Sequence, residues 1–131
     1  MELALADAGA QPGDVAHVNA HGTSTVLNDR AEAAALAALF AGSCPPVMAA
    51  KGSTGHMIAG SGAVEAIVSL MSLRHRLVPP VAGLRTIDPG FDLDIVWGKP
   101  RQAPPGYALS NSFGFGGANT ALVLAAGGSA G

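Results

Sequence analysis

The 131-residue sequence holds one cysteine, so no internal disulfide framework can staple it. Charge is scarce as well. Asp, Glu, Lys and Arg make up 12% of residues and the formal net charge is -2. That balance offers no basic surface for nucleic acid. The sequence has no apolar run of the roughly 18 residues that a membrane span requires. The opening Met1-Glu2-Leu3-Ala4 is not a basic segment leading into an apolar one, so no signal peptide is expected. With 49% apolar residues, the chain is too apolar for disorder and has enough for a core. One cytoplasmic domain is the expectation. A domain with so little charge is also expected to present part of its surface to a partner.

Periodicity and punctuation divide the chain. Residues 2–8 read as a short helix, stopped by Gly9 and by Gln11-Pro12-Gly13. A strand is predicted over 15–19. A second helix is predicted from Asn28 as N-cap, with Asp29 and Glu32 in its first turn and Ala33, Leu36, Ala37 and Phe40 as its apolar face. Strands are expected over 47–50, weakly over 94–97, and over 107–111 and 120–125. A helix rich in small residues spans 58–73, and its small side chains predict close packing on all sides. Residues 127–131 read as a flexible tail. Strands alternate with helices early and pair late, which predicts an α/β domain over 1–126 with a mixed sheet of about five strands.

Three polar, glycine-rich segments each follow a short strand: 19–25, 51–56 and 111–119. Sites in open α/β sheets gather at strand ends. His21, Lys51 and His56 on such loops suit an anion or oxyanion site, because a neutral imidazole can donate Nε2–H to a developing oxyanion. A lone loop histidine is more often structural, and His17, inside a strand, and His75, at a helix end, read as core filler or solvated surface. Gly114 to Gly117 lack the Gly-Lys-Ser/Thr of a phosphate loop and precede a strand rather than the helix of a dinucleotide fingerprint. His21 and His56 lack a third metal ligand at useful spacing.

Together the segments Val18-Asn19-Ala20-His21-Gly22-Thr23-Ser24-Thr25, Lys51-Gly52-Ser53-Thr54-Gly55-His56 and Asn111-Ser112-Phe113-Gly114-Phe115-Gly116-Gly117-Ala118-Asn119 resemble the β-ketoacyl-acyl-carrier-protein synthases of the thiolase superfamily. The likeness continues through Val64-Glu65-Ala66-Ile67, Val78-Pro79-Pro80 and Asp92-Leu93-Asp94. It implies the C-terminal half of a duplicated, layered thiolase-like fold. It also implies decarboxylative Claisen condensation of an acyl thioester with malonyl-carrier protein, in fatty-acid or polyketide chain extension. His21 and His56 would assist decarboxylation and stabilise the enolate, Lys51 would order the second histidine, and Phe115 would give an oxyanion-hole N–H and a gating ring. His21, His56 and Phe115 would converge on one pocket, with Thr23 and Thr25 at its mouth, and Phe113 would join the threonines along the substrate path. No bound cofactor is implied, since phosphopantetheine arrives on the acyl carrier protein. Glu65 would pair with Lys51, since a lysine in so uncharged an interior needs a carboxylate, or join a structural monovalent cation, which is implied for some members at Asn19, Glu65, Ser110 and Asn111. The family is homodimeric. Gly52 departs from its usual Ser and is expected to loosen its loop slightly.

The family's nucleophilic cysteine lies in the N-terminal half, at a helix start that lowers its pKa. Cys44, in Ser43-Cys44-Pro45-Pro46, has no such context and reads as an ordinary loop thiol. The expectation is a fragment, inactive without an N-terminal half. The alternative is a non-catalytic partner subunit or a truncated polyketide relic. Chain-length subunits that resemble the family lack these histidines, and their presence here favours descent from a catalytic synthase.

Overall fold

The strand β1 (Val15–Asn19) is buried at every position, because it runs through the middle of the sheet with helices on both faces. It lies between β2 (Val47–Met48) and β5 (Tyr107–Phe113), parallel to both, and β6 (Asn119–Leu124) runs antiparallel to β5. The order β2-β1-β5-β6 is mixed, as expected, but it has four strands rather than five. The stretch expected as a weak strand over 94–97 contributes one bridge, Val47 to Ile95, held by Val47 N–H to Asp94 O and Val96 N–H to Val47 O, both 2.8 Å. Prolines at 79, 80, 89 and 100 cannot donate to a ladder, so the crossing between residues 79 and 100 pairs only at this point. A small ribbon that the sequence did not signal, β3 (Leu77–Val78) against β4 (Arg101–Gln102), closes its far end. This computed structural model describes residues 1–127. Of the expected flexible tail, residues 128–131 lie outside the described residues.

One face of the sheet carries α1 (Glu2–Asp7) and α2 (Val26–Phe40), which close over Val18 and Val47 with Leu5, Leu36 and Phe40. Helix α2 begins two residues before Asn28, which lies inside the first turn and donates to Asp29 rather than capping. Ala33, Leu36 and Phe40 are buried as expected, whereas Ala37 faces outward. The surprise is Glu32, 4% exposed, in phase with Leu36 and Phe40.

The other face carries α4 (Ser61–His75), preceded by the short α3 (Lys51–Thr54) and a 3-10 turn at Ile58–Gly60. The expectation that this helix is buried on all sides fails. Ser61, Glu65, Ser69, Ser72 and Leu73 are buried, while Ile67 is 60% and Met71 46% exposed. The inward stripe meets polar strand residues. Asn19 donates to Glu65 O and Ser69 Oγ. The apolar stripe is left uncovered, with Ile58 also 77% exposed. Exposed apolar surface of this kind is a partner-facing feature, which agrees with the low charge of the sequence. No helix among the described residues is long and apolar enough to cross a membrane.

His75 faces solvent, but His17 is fully buried on β1 with both ring nitrogens unpartnered. Burial pushes its pKa down to about 4. The folded value lies below the unfolded one near 6.5, so the unfolded state binds the extra proton. Stability is therefore full above about pH 6.5 and falls as pH drops towards 4. His17→Leu removes two unsatisfied polar atoms and is expected to raise stability at pH 7 by about 1 kcal/mol. It should also flatten the loss between pH 6.5 and 4, read by urea melts across that range. A variant that is less stable and keeps the wild-type pH slope would refute this account.

Candidate functional site

The three loops singled out in the sequence leave the carboxyl ends of the parallel strands β1, β2 and β5 on one side of the sheet. Close backbone approach lets them meet. Gly22 takes a left-handed φ of 49°, and a Cβ there would lie 2.7 Å from that of Ala49. At Gly52 a Cβ would run into the carbonyl oxygen of Ala82. Gly52 therefore does not loosen its loop. It lets the crossing segment press against α3, which any larger residue would push away.

Lys51, 8% exposed, is the hub, and it meets the first histidine, His21, rather than the second that the family likeness implied. Its Nζ donates to Glu65 Oε1 at 2.6 Å, to the His21 carbonyl at 2.6 Å and to His21 Nδ1 at 3.2 Å. All donors of an ammonium are thereby used. With Nδ1 of His21 facing a cation, the ring proton belongs on Nε2. The His21 pKa is pushed down to about 4, first by burial, then by Lys51 and His56, with Asp29 opposing. His21 is thus a neutral donor at pH 7.

His56 presents Nε2 as its donor by another route. Its Nδ1 accepts the Ile58 backbone N–H at 3.1 Å, so its proton too belongs on Nε2. The His21 and His56 rings meet edge to face, centroids 5.6 Å apart at 86°. The Phe113 ring also lies against His21, centroids 5.6 Å apart. Phe115, expected to converge on the imidazoles, instead has a fully exposed ring, in a 3-10 turn just after β5. The turn has left-handed glycines, Gly116 and Gly117, and few side chains to pack against.

Thr23 and Thr25 hydrogen-bond each other at 2.9 Å. They were expected to share a pocket mouth with the histidines. A cleft of about 380 Å³ is lined by Thr25, Leu36, Met48, Val81 and Phe91 but by neither Thr23 nor either of His21 and His56. His21 is buried, whereas His56 is exposed and is followed in the chain by the exposed Met57 and Ile58.

Sequence reasoning missed Glu32. Its carboxylate accepts His21 N–H on Oε1 at 2.9 Å, Gly22 N–H on Oε2 at 3.0 Å and Asn111 Nδ2–H on Oε1 at 3.0 Å. It ties the first histidine loop to β5. Its phase with Leu36 and Phe40 on α2 was the available signal, since a carboxylate on a buried stripe must find donors. Ser61 was also missed, and its hydroxyl lies 3.2 Å from His56 Nδ1.

The oxygen-rich group around Asn19 has a chemistry of its own. Asn19 Oδ1 and Glu65 Oε2 are buried without partners, and Ser110 pairs with Asn19 across the strands. Such orphaned oxygens fit a hard cation. The Asn111 side chain does not join them, because adjacent strand residues face opposite sides and Asn111 points to Glu32 on α2. Cys44 is a half-buried loop thiol whose pKa is pushed up to about 11 by burial and by Asp94, which disfavours the nucleophilic thiolate.

The chain as a whole is similar to known proteins. Residues 1–85 match the model of the beta-ketoacyl synthase, C-terminal domain. The 3-oxoacyl-[acyl-carrier-protein] synthase 2 of Mycobacterium tuberculosis is 45% identical over 117 residues, covering 89% of this chain and 28% of that protein. The same-named protein of Mycobacterium leprae is 46% identical over the same length and shares. Among solved structures, a beta-ketoacyl synthase from Burkholderia phymatum superposes with a TM-score of 0.89 at 38% identity, covering 94% of this chain and 30% of that one. The ishigamide ketosynthase/chain length factor gives 0.91 at 33%, covering 95% and 31%. The chain spans less than a third of the length of these relatives, and within that span its sequence and fold are those of the beta-ketoacyl synthase family, C-terminal domain, to which it belongs.

Proposed function

We propose that this chain supplies the decarboxylation and enolate-stabilising half of a 3-oxoacyl-[acyl-carrier-protein] synthase, an acyltransferase of fatty-acid or polyketide chain elongation. The observation that carries the reading is the pair of imidazoles, His21 and His56, each with Nδ1 occupied and Nε2 left as the donor. A malonyl thioester whose carbonyl oxygen accepts both N–H groups can lose its carboxylate as CO2, because the enolate oxygen that develops is already solvated. The enolate carbon then attacks an acyl thioester, the thiolate leaves, and a 3-oxoacyl thioester results. Lys51 keeps His21 in the donor tautomer. The backbone N–H of Phe115 would serve the oxyanion of the acyl group, with its ring and that of Phe113 along the entry path. Thr23 and Thr25 would bind the phosphopantetheine arm delivered by an acyl carrier protein. A monovalent cation held by Asn19, Glu65 and Ser110 would neutralise the second Glu65 oxygen, with Asn111 reaching it only through its backbone.

The acyl-holding cysteine must come from elsewhere, for Cys44 is the one cysteine of the sequence and lies outside the site. The occupant of the apolar α4 face is then the N-terminal ketosynthase half, and the complete protein would dimerise as the family does. One solved neighbour, 32% identical, is a ketosynthase of a type II polyketide system in complex with its acyl-carrier protein, which supports a carrier as partner. The test mixes this chain with a cysteine-bearing N-terminal half of a relative. Condensation of acyl and malonyl thioesters is expected from the mixture, none from the chain alone, and no effect of Cys44→Ala in either. Condensation by the lone chain that disappears in Cys44→Ala would overturn the reading.

A further inference from the structure

The loop between Lys51 and α4 holds His56 by an unusual backbone. Ile58 is a β-branched residue at a left-handed φ of 51°, a conformation such residues rarely adopt. Strain of this kind persists where surrounding contacts over-determine it. Here the contacts converge on one residue, Ser61, the first of α4 and 4% exposed. Its Oγ accepts the Met57 N–H at 2.9 Å and lies 3.2 Å from His56 Nδ1. With the oxygen already accepting from Met57, the hydroxyl hydrogen is free to point at Nδ1. That nitrogen also faces the Ile58 N–H at 3.1 Å. The Ile58 N–H can only donate, so a proton on Nδ1 would meet its hydrogen head on, and the hydroxyl, which could otherwise also accept, then turns its own hydrogen to the same lone pair.

We propose that Ser61 is a positioning residue for His56: its hydroxyl, together with the N–H that the strained Ile58 turns inward, excludes the proton from Nδ1 and fixes the imidazole as an Nε2–H donor. The device is separate from the one acting on His21, whose Nδ1 is held by Lys51. Each donor of the pair is thereby set by its own element, α3 for His21 and the start of α4 for His56. The catalytic meaning rests on the function proposed above, but the geometry can be tested without turnover.

Long-range ¹H–¹⁵N spectra of the ¹⁵N-labelled chain near pH 8 read the tautomer of each histidine directly. His56 is expected as a single Nε2–H form. Ser61→Ala should give a mixture of both tautomers, and the Ile58 amide should exchange with solvent roughly fivefold faster, the loss of one hydrogen bond. Ser61→Thr retains the hydroxyl and should restore the wild-type pattern, and Ser61→Gly replaces Ser61→Ala if the latter gives no dispersed spectrum. A wild-type His56 protonated on Nδ1, or a Ser61→Ala chain with unchanged tautomer and unchanged Ile58 exchange, overturns the proposal. So does a folded Ser61→Thr chain that behaves as Ser61→Ala, which would make Ser61 a packing residue. Failure of condensation with an N-terminal half would leave these readings intact, and they in turn could fail in a chain that condenses.

Discussion

Lys51→Met should destabilise the chain by about 3–5 kcal/mol, because it leaves a buried carboxylate without its cation. Glu65 is fully buried, its Oε1 has Lys51 as partner at 2.6 Å, and its Oε2 has none. The surface pair Arg101–Asp94, 2.7 Å apart but about half exposed, offers a contrast. Its removal should cost at most about 1 kcal/mol. The decisive measurement is the double variant Lys51→Met/Glu65→Leu in urea melts. If the cost of the single change is the stranded charge, most of the stability returns in the double. If the double is as unstable as the single, packing of the lysine stem was responsible instead. The single variant also removes one of the causes that depress the His21 pKa, which should rise from about 4 without reaching 6.5, since burial is the larger cause. The sign follows from linkage: His21 favours the fold above the unfolded value, and that contribution is lost as pH falls towards the folded value. Raising the folded value narrows that window from below.

This ion pair marks how far the sequence could be read. Lys51 and Glu65 were legible as partners because a lysine in so uncharged a chain needs a carboxylate, and Glu65 lies in a segment with few other charges. The loops at 19–25, 51–56 and 111–119 were legible because each follows a strand and carries chemistry-bearing residues among glycines. The inverted helix α4 was not. Its small and apolar residues predict burial all round, yet burial depends on what stands opposite. The sheet offers Asn19 and Ser110, so the serines and Glu65 turn inward and Ile67 and Met71 are left outside. The place of Phe115 was hidden for a related reason. Its ring needs a wall that the described residues do not provide, whereas Phe113, still on β5, finds His21. The strand at 94–97 shrank to a bridge because propensity in four residues could not outweigh the prolines and glycines flanking them.

Glu32 is the residue whose removal should damage the site most per atom lost. It accepts from two consecutive backbone amides and from a strand side chain, and its residue is 4% exposed. Glu32→Ala strands the N–H groups of His21 and Gly22 and the Asn111 amide. At about 1–3 kcal/mol for each buried donor left unmade, partly relieved by water entering the gap, a loss of about 3–5 kcal/mol is expected. Glu32→Gln separates charge from geometry. An amide can present one oxygen to His21 N–H and Asn111, but its NH2 then faces the Gly22 N–H, donor against donor. A cost of about 2 kcal/mol is expected, smaller than for alanine. Local order should fail before the fold does, since the core under α2 is built from Leu36, Phe40 and Val18 and does not include the carboxylate. In the Gln variant, hydrogen exchange at His21 and Gly22 should therefore accelerate by more than at Leu36, whose protection reports the whole domain. Equal acceleration at all three would mean that Glu32 supports the fold as a whole. In the reconstituted protein, malonyl decarboxylation should fall at least tenfold in Glu32→Gln, because under the proposed function His21 Nε2–H points at the developing oxyanion and its backbone would no longer be held. Transfer of the acyl group to the partner's cysteine, which does not need the imidazole pair to stabilise an enolate, should fall less. If transfer and decarboxylation fall together while the fold is intact, the clamp between His21 and β5 serves docking of the halves rather than the aim of the imidazole.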